Sequence, residues 1–519
     1  MIFSKLGLAP TVLILIFLIK VVNGQFDDPD FYWHLKTGEY IVAHGVLPQA
    51  DLFSYTNLGR PWVLHEWLFQ VLIYLVHGWG GDWGVKVFVA LMLTACFGLC
   101  YTICKKILAG DKAKALIVAL WFCSIITSVS PRPHLFTFLF FSLFLYLLLS
   151  FKYFGETSRL WVIPLVMALW VNLHGGFFIG LVLVWLFIFG EWVTYYLAER
   201  SALARRRGLM QLTLIGVAAL LATLANPEFI RHWLYPFQVI GMEASKGMIE
   251  EWRSPDFHQP IFAYWLVVVT SFFAAMIYSP RKPDVTELIV PLVFVAGAFM
   301  ARRNIPLAAL AMAPFFAVYM RAGLTDSLKN FLARFRKMPS GDASRIRVKA
   351  SQPLGKYEYV MNWLLVLVTL LSLFLIYPER QKVMAASLNK IIPVKATDFI
   401  LREGIKGRMF NTYHYGGYLI YRLYPQQLVF IDGRADMYGD AFINEALAIY
   451  GGSSQWKSYF DHYGIDYVIC ESESPLRQLL LTEGKFRLVF DDNMHSVLLH
   501  DMEKYRAIIN QYAGKPAHG

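Results

Sequence analysis

Long apolar runs fill most of the chain and set the tightest limit on its fold. Between Thr11 and Tyr377 they recur with lengths of about 17–25 residues, which an α-helix needs to cross a bilayer core of about 30 Å. Apolar and aromatic residues make up 57% of the sequence and charged residues 16%, against roughly 25% in an ordinary soluble domain. Because a soluble fold could not bury this much apolar surface, the sequence predicts a polytopic α-helical membrane protein.

We predict about eleven membrane-spanning helices from these runs. Their approximate ranges are 6–22, 84–104, 115–130, 135–153, 160–172, 176–197, 209–225, 261–279, 287–301, 304–321 and 361–377. The first is interpreted as a retained span, because it lacks the small-residue cleavage site of a secretory signal. The stretch 64–77 is short and carries His65 and Glu66, so we interpret it as a helix lying along the outer interface.

Positively charged loop residues indicate the orientation. With the N-terminus in the cytoplasm, 22 Lys and Arg fall in the predicted cytoplasmic segments and 8 in the outer segments before the last span. Short cytoplasmic loops of multi-pass proteins carry such an excess. We therefore predict a multi-pass protein of the plasma (inner) membrane with residues 378–519 outside. Most of the positive charge behind the net charge of +11 lies in short loops between apolar runs, where it sets the orientation. It does not indicate a nucleic-acid partner.

The composition changes after Pro393, where strand-like and helix-like segments alternate. The predicted strands are 408–410, 428–432, 467–470, 486–490 and 496–499, and the predicted helices are 396–402, 441–450, 455–462 and 475–482. This alternation indicates an α/β domain. The predicted domains are a transmembrane domain, 1–377, with a first outer loop at 23–83 and a cytoplasmic linker at 321–360, and an extracytoplasmic α/β domain, 378–519.

Unusual polar groups collect on the predicted outer side, and such groups at membrane depth are costly unless a site needs them. Asp28 and Asp30 open the first outer loop, where they either cap a helix start or supply carboxylates for catalysis. Arg302 and Arg303 break the positive-inside pattern. Their guanidinium groups suit either the phosphate of a lipid-linked substrate or the headgroups of ordinary membrane lipids.

The run from Asp28 to Trp62 reads DPDFYWHLKTGEYIVAHGVLPQADLFSYTNLGRPW. It resembles the first outer loop of the catalytic subunit of archaeal and eukaryotic oligosaccharyltransferases, members of the GT-C glycosyltransferase superfamily. The shared features are the Asp-Pro-Asp-aromatic start, the basic Lys36 and the Gly-Arg-Pro turn at 59–61. The resemblance implies a GT-C-like fold in which Asp30, with Asp28 beside it, is catalytic or binds a divalent metal. The metal itself, Mg²⁺ or Mn²⁺, is left open.

A second resemblance lies in the C-terminal domain. The runs 413–418 and 429–436 partly match the family's Trp-Trp-Asp-Tyr-Gly motif and the strand ending in Asp that follows it, although the Trp pair is absent. The resemblance makes Tyr415, Asp432 and Arg434 candidate substrate-binding residues. The alternative is structural, with a tight glycine turn and an Asp that ends a buried strand.

Five further residues become candidates by position. Glu250 and Glu251 correspond in place to a functional Glu on an outer loop of the family, or else belong to a solvated turn. Arg132, His134 and His174 lie at predicted outer span ends, where they either bind substrate or make interfacial hydrogen bonds. Imidazole also suits several transition metals, so the two histidines are alternative metal ligands.

These observations predict an integral-membrane glycosyltransferase that moves a sugar or glycan from a polyprenyl-phosphate-type lipid donor to an acceptor on the outer face. Asp30 would act as base or metal ligand, and Arg302 and Arg303 would hold the lipid phosphate. No phosphate-binding glycine loop is visible, so a nucleotide-sugar donor is not predicted. The predicted partners are the lipid-linked sugar and membrane lipids, and the acceptor is open. The alternatives are a transporter or flippase of lipid-linked glycans and a non-catalytic membrane assembly protein.

Overall fold

The computed structural model describes residues 11, 15, 28–124, 130–197, 203–234, 241–242, 250–324, 360–368, 371, 388–512, 514 and 516–517. The α-helices before residue 325 are α1 (Asp30–His44), α2 (Trp67–Ile107), α3 (Lys112–Cys123), α4 (His134–Phe154), α5 (Val162–Trp170), α6 (Phe177–Leu197), α7 (Leu203–Ala222), α8 (Pro260–Tyr278), α9 (Val285–Met300) and α10 (Ile305–Tyr319). Short 3₁₀ turns at Glu250–Trp252 and Arg302–Asn304 precede α8 and α10.

Within the described residues, five helical segments are long and apolar enough to cross a membrane. They are Trp67–Ile107, His134–Phe154, Phe177–Leu197, Pro260–Tyr278 and Arg302–Gly323. Three shorter apolar helices are Lys114–Cys123, Ser158–Trp170 and Val285–Met300. The predicted count of about eleven is therefore not confirmed. The predicted spans at 115–130, 160–172 and 287–301 coincide with these shorter helices, and 16 residues of helix cover only about 24 Å.

Other parts of the prediction fall on residues beyond the described set. The predicted first span, 6–22, lies outside it apart from residues 11 and 15, and residues 369–370 and 372–377 of the predicted last span, 361–377, lie outside it as well. The predicted linker at 321–360 lies outside it beyond residue 324, apart from residue 360. The helix α7 covers most of the span predicted at 209–225 but begins at Leu203, and its first turns carry a run of three arginines.

Prolines fix the starts of the helices that carry the candidate site. Pro29 and Pro133 are the residues immediately before α1 and α4, while Pro260 and Pro306 lie in the first turns of α8 and α10. The first turn of a helix tolerates proline, because its N–H groups have no partner within the helix and the proline φ is already helical. The sequence thus sets where these helices begin, and with them the positions of Asp30 and the polar turns.

The interfacial helix predicted at 64–77 is the first arm of α2, which begins at Trp67. Gly81 interrupts α2 with a φ of 55° and ψ of −153°, a conformation that only glycine adopts readily. The two arms then pack closely, because a Cβ on Gly84 would lie 2.9 Å from the carbonyl oxygen of Val76. The first arm also packs on α1, where a Cβ on Gly38 would lie 2.1 Å from the carbonyl oxygen of Gln70.

The C-terminal part of the chain forms a four-stranded mixed sheet with helices. Its strands are β1 (Met409–Asn411), β2 (Tyr467–Glu471), β3 (Phe486–Asp491) and β4 (His495–His500), in the order β1-β2-β4-β3. β1 and β2 are parallel, whereas β4 is antiparallel to both β2 and β3. The helices are α11 (Val394–Arg402), α12 (Gly416–Leu423), α13 (Ala435–Tyr450), α14 (Trp456–Tyr463), α15 (Pro475–Glu483) and α16 (Arg506–Tyr512).

The strand predicted at 428–432 is wrong, since this segment does not join the sheet. It instead pairs with the first outer loop, where Ser54 and Val429 form an isolated parallel bridge. The Val429 N–H donates to the Phe53 carbonyl at 2.9 Å, and the Tyr55 N–H donates to the Val429 carbonyl at 3.1 Å. The apolar run was recognisable, but its partner lies nearly 400 positions earlier in the chain.

The apolar core likewise joins the first outer loop to the C-terminal domain. Trp33, Phe53 and Trp62 are buried in one cluster together with Ile400 and Leu419. A second buried cluster runs through the apolar helices α2 to α10. The C-terminal domain is therefore packed on the loop that carries Asp28 and Asp30, which places this loop between the two parts of the molecule.

Candidate active site

Two carboxylates stand at the N-terminal end of α1. The Asp28 side chain accepts a hydrogen bond from the Asp30 N–H at 3.1 Å, which satisfies a backbone donor that the helix leaves without a partner. The Trp33 indole N–H donates to Asp30 Oδ1 at 3.2 Å and holds that carboxylate in place. The helix N-terminus favours negative charge. Asp28 thus accepts a hydrogen bond at the start of the helix, while Asp30 faces a cationic neighbour.

That neighbour is Arg132, from the turn before α4. Its guanidinium binds Asp28 in a two-pronged ion pair, with Nη2 at 2.7 Å from Oδ1 and Nε in contact with Oδ2. Nη2 also lies 3.0 Å from Asp30 Oδ2, and Nη1 lies 3.6 Å from Glu251 Oε1. Arginine presents several N–H donors in a rigid plane and can serve several carboxylates at once. Arg132 therefore ties together three residues that the sequence singled out separately.

The two aspartates differ in their proton affinity. Burial raises the pKa of Asp28, but the charge and hydrogen bonds of Arg132 outweigh it and hold the pKa below its usual value. Burial raises the pKa of Asp30 to about 7, and the negative charge of Asp28 adds to the rise while Arg132 opposes it. Asp28 is consequently a fixed anion, whereas Asp30 exchanges a proton near neutral pH.

A line of alternating charges leads from Asp30 to Arg303. Beyond Arg132, Glu251 Oε1 lies 3.9 Å from Arg303 Nη1, and the Arg303 guanidinium stacks over the Trp252 ring at 4.3 Å. Arg302 forms an ion pair with Glu250, and its N–H donates to the Arg253 carbonyl at 3.0 Å. The 3₁₀ turns at Glu250–Trp252 and Arg302–Asn304 are thus joined. The convergence predicted for the outer-side residues is found in the structure.

A cavity of about 280 Å³ opens beside this line of charges. Its polar lining residues are His134, Thr137, His174, Glu251, Arg302, Arg303 and Asn304, and its apolar lining residues are Phe138, Ile179, Ile261, Phe262, Ile305, Pro306 and Leu307. Both predicted histidines and both predicted arginines therefore face one space. Asp30 does not line this cavity, and it reaches the cavity through Arg132 and Glu251.

A buried carboxylate with three imidazoles adjoins the cavity. Glu66 lies 3.2 Å from Nε2 of His65, 3.7 Å from Nε2 of His174 and 3.8 Å from Nε2 of His34. Burial alone would raise the pKa of Glu66, but His65 outweighs it and holds the pKa well below its usual range. Burial lowers the pKa of His174 to about 3 and that of His34 to about 4, so both stay neutral.

The sequence placed His65 and Glu66 in the predicted interfacial helix, but it gave His34 no role. The available signal was its place on α1, one helical turn after Asp30. The hydrogen bonds show how the cluster is arranged. The Gly176 N–H donates to His174 Nδ1 at 3.2 Å, so the neutral ring carries its proton on Nε2, which faces Glu66.

The surroundings of Asp30 do not fit a metal centre. Throughout the described parts of the chain, no group of three or more His, Cys, Asp or Glu is placed to hold a metal ion. Asp30 Oδ2 instead lies 3.0 Å from Nη2 of the Arg132 guanidinium. Nε2 of His174 bears a proton and is no ligand in that state. A metal bound by Asp30 therefore remains a sequence prediction.

Asp432 and Arg434 belong to a buried network instead of the cavity wall. Nε and Nη2 of Arg434 donate to Asp432 at 2.7 and 2.6 Å, and its Nη1 lies 2.8 Å from Asp51 of the first outer loop. Tyr438 donates to Asp432 at 2.7 Å, and the guanidinium stacks over Trp62 at 4.6 Å. The network links the C-terminal domain to the first outer loop.

The same linkage positions Asp30. A Cβ on Gly433 would lie 1.7 Å from Asp30 Oδ1, so the backbone between Asp432 and Arg434 presses directly on the carboxylate. The Tyr413 hydroxyl donates to the Gly433 carbonyl at 2.9 Å and holds this backbone. Tyr415 is buried and contacts His495 Nδ1 through its hydroxyl at 2.5 Å. Its role in the structure is therefore within the C-terminal core.

The fold is similar to that of two membrane glycosyltransferases of the GT-C type. The oligosaccharyltransferase of Archaeoglobus fulgidus in the apo form matches over 89% of this chain and 69% of that chain, with a TM-score of 0.55 and 12% identity. The same enzyme in complex with zinc and sulfate matches over 94% and 73%, with a TM-score of 0.50 and 12% identity. ArnT from Cupriavidus metallidurans bound to undecaprenyl phosphate matches over 94% and 96%, with a TM-score of 0.50 and 12% identity.

No family model matches the sequence, and no curated protein matches it either. At 11–12% identity, the structural similarity establishes the fold and nothing finer. The chain accordingly has a GT-C-like fold with apolar helices and a C-terminal sheet domain. This confirms the resemblance that the first outer loop predicted.

Proposed function

We propose that this protein is an integral-membrane glycosyltransferase that transfers a sugar or glycan from a polyprenyl-phosphate-type donor to an acceptor on the outer face of the membrane. One observation carries the proposal. Asp30, a half-buried carboxyl with a pKa of about 7, is connected through Arg132 and Glu251 to a cavity that Arg302 and Arg303 line. The GT-C-like fold and the undecaprenyl phosphate bound by ArnT support the choice of a lipid-linked donor.

Asp30 is the proposed general base. The acceptor's nucleophilic oxygen or nitrogen attacks the anomeric carbon of the sugar, and its proton passes to the Asp30 carboxylate. A base is most effective when its pKa lies near the working pH, because it is then both ionised and able to hold a proton. Asp28 and Arg132 act as positioning residues, since they set the place of Asp30 and its proton affinity.

The leaving group is the lipid phosphate. As the bond between the anomeric carbon and the phosphate oxygen breaks, negative charge grows on that oxygen. Arg302 and Arg303 line the cavity and can donate charge-assisted hydrogen bonds to a phosphate. The apolar residues of the same cavity, among them Phe138 and Ile305, offer a wall for the first units of a lipid chain.

The test replaces Asp30 by Asn at matched protein levels in a host strain lacking the native gene. A base of this kind contributes about 10²–10⁴-fold to the rate, so the variant should be as defective as the deletion. Mass spectrometry of polyprenyl-linked sugars in the membranes should find the same lipid-linked sugar accumulating in both strains. That sugar would also identify the donor.

Asp256→Asn is the matched control. Asp256 lies on the loop that carries Glu250 and Glu251, but its side chain is 53% exposed and pairs with His258 at 2.9 Å. This variant should restore the wild-type profile. If Asp30→Asn restores it equally well, Asp30 is not catalytic, and the transporter and assembly-protein alternatives move ahead.

A further inference from the structure

A second cavity lies at the end of α10 opposite to the proposed donor cavity. Ile305 to Leu307, at the start of α10, line the donor cavity, whereas Val318, near its end, lines the second one. The 15 residues of α10 separate the two by about 22 Å. The second cavity has a volume of about 290 Å³ and is no part of the site described above.

The lining of this cavity combines two arginines with apolar side chains. It consists of Ile107, Tyr153, Phe154, Arg281, Val318, Arg321 and Ala322. Arg321 lies in the turn that follows α10 and donates one hydrogen bond, from Nη1 to the Ile107 carbonyl oxygen at 2.9 Å. Among the residues that the structure describes, no carboxylate pairs with it. A guanidinium has five N–H donors, and Arg321 uses one of them within the described residues.

Arg281 completes the cationic side. It pairs with the buried Glu287, which also accepts hydrogen bonds from Tyr153 at 2.7 Å and Tyr319 at 3.2 Å. The guanidinium of Arg281 lies 5.6 Å from the centre of the Tyr153 ring. This network fixes the arginine at the rim of the cavity. Its side chain remains 41% exposed, so it can share its donors with a bound anion.

Further basic residues lie beside the cavity wall and in the sequence that follows Arg321. Lys106 Nζ, which pairs with Glu156, lies 4.3 Å from the centre of the Phe154 ring, beside the cavity wall. The sequence 321–360, which begins at the cavity, contains nine Lys and Arg against three Asp and Glu. Basic segments next to membrane-spanning helices attract anionic lipids, and basic pockets between such helices bind their headgroups. The apolar half of the lining matches the start of the acyl chains.

We propose that this cavity is a binding site for an anionic glycerophospholipid, with its phosphate on Arg321 and Arg281 and its glycerol and first acyl carbons against Ile107, Phe154 and Val318. The site holds the end of α10 from the membrane side opposite to the donor cavity. The proposal does not depend on the proposed glycosyl transfer, because the two cavities share no lining residue.

The test uses the full-length protein reconstituted in vesicles of phosphatidylethanolamine with or without phosphatidylglycerol. Native mass spectrometry after extraction counts the phospholipid that stays bound. We expect wild type to retain phosphatidylglycerol in preference to phosphatidylethanolamine. Arg321→Gln should retain about tenfold less, because it loses charge-assisted hydrogen bonds to the phosphate. Ala322→Leu, which fills the cavity without removing a charge, should also lose the lipid.

Arg206→Gln is the control, since Arg206 is an exposed arginine of α7 that does not line the cavity. It should retain phosphatidylglycerol as wild type does. Equal retention by Arg321→Gln, Ala322→Leu and wild type would overturn the proposal. Displacement of the lipid by an equal concentration of inorganic phosphate would also overturn it, since the site would then recognise a free phosphate and not a lipid.

Discussion

Asp28 and Asp30 have the same chemistry, yet their surroundings give them different tasks. Arg132 donates two hydrogen bonds to Asp28, and its Nη2 lies 3.0 Å from Oδ2 of Asp30. Two nearby acidic groups whose pKa values are pushed apart are typical of acid–base sites. The pair therefore resolves into a fixed anion that orients the guanidinium and a carboxyl that can take up a proton.

The raised pKa of Asp30 has a consequence for stability. The carboxyl titrates at about 7 in the folded protein and near 3.8 when unperturbed, so ionised Asp30 costs folding free energy increasingly between these two pH values. Asp30→Asn removes this cost. We expect the variant to melt a few degrees above wild type at about pH 8 and close to wild type at about pH 4, as measured by thermal unfolding in detergent.

Arg132 keeps Asp28 and Glu251 as partners in that variant, so loss of one carboxylate does not leave the guanidinium alone. Asp256→Asn is again the control and should shift the melting temperature equally little at both pH values. A stabilisation by Asp30→Asn that does not depend on pH would contradict the assigned proton affinity.

The sequence was better at singling out individual candidate residues than at predicting which residues contact one another. The Asp-Pro-Asp start marked Asp28 and Asp30 because its pattern is local and specific. The partners of Arg132 could not be predicted, since the turn before α4 and the turn at Glu250–Trp252 meet only through the packing of several helices. The three imidazoles around Glu66 could not be predicted either. They come from α1, the residues just before α2 and the turn before α6, which meet only in the folded protein.

The elements that hold Asp30 in place come from the other end of the chain. α12 begins with Gly416 and Gly417, and a Cβ on Gly417 would lie 2.3 Å from the Pro29 carbonyl oxygen. Neither glycine has a positive φ, so the need for glycine here is close approach and not a turn. The tight turn considered from the sequence is therefore replaced by a helix start packed against the start of α1.

Gly433→Ala tests this contact. The new Cβ would collide with Asp30 Oδ1 at 1.7 Å, so either the carboxylate or the 432–434 backbone must move. A displacement of about 1 Å at a catalytic group can cost about 10²-fold in rate. We expect a comparable loss of transfer, read as accumulation of the lipid-linked sugar, with protein levels near those of wild type.

Gly78→Ala is the matched control, because Gly78 lies in a helix with nothing within 4 Å of the added Cβ. Normal activity in Gly433→Ala would mean that Asp30 need not keep its observed position.

The misassigned strand at 428–432 belongs to the same interface. Its apolar run was visible in the sequence, but pairing with Phe53–Tyr55 depends on long-range packing that local pattern does not encode.

The molecule as a whole sorts its charged residues into two groups. Residues predicted to be outside meet one another around Arg132 and Glu251. A separate group joins Lys152 and Asp284, which are predicted to be inside, with Glu191 of the predicted span 176–197. The number of spans was less predictable, since several apolar helices are too short for the length rule.

These contacts do not show which of the two groups lies outside the membrane. The count of Lys and Arg predicts that the group around Arg132 does. Lys457, 58% exposed on α14, and Arg206, exposed on α7, represent the two sides. We replace each by Cys and treat intact spheroplasts with a membrane-impermeant maleimide. Lys457→Cys should react directly, whereas Arg206→Cys should react only after permeabilisation.

The native cysteines should contribute little background labelling to this measurement. Cys96, Cys100, Cys104 and Cys470 are buried and Cys123 is half-buried among apolar helices, so wild type should give little signal. A reversed pattern would place the C-terminal domain, Asp30 and its cavity in the cytoplasm. The donor would then have to be presented from the inner leaflet, and the excess of Lys and Arg would lie outside, against the charge rule that orients multi-pass proteins. The expected labelling therefore tests the orientation on which the outer-face chemistry depends.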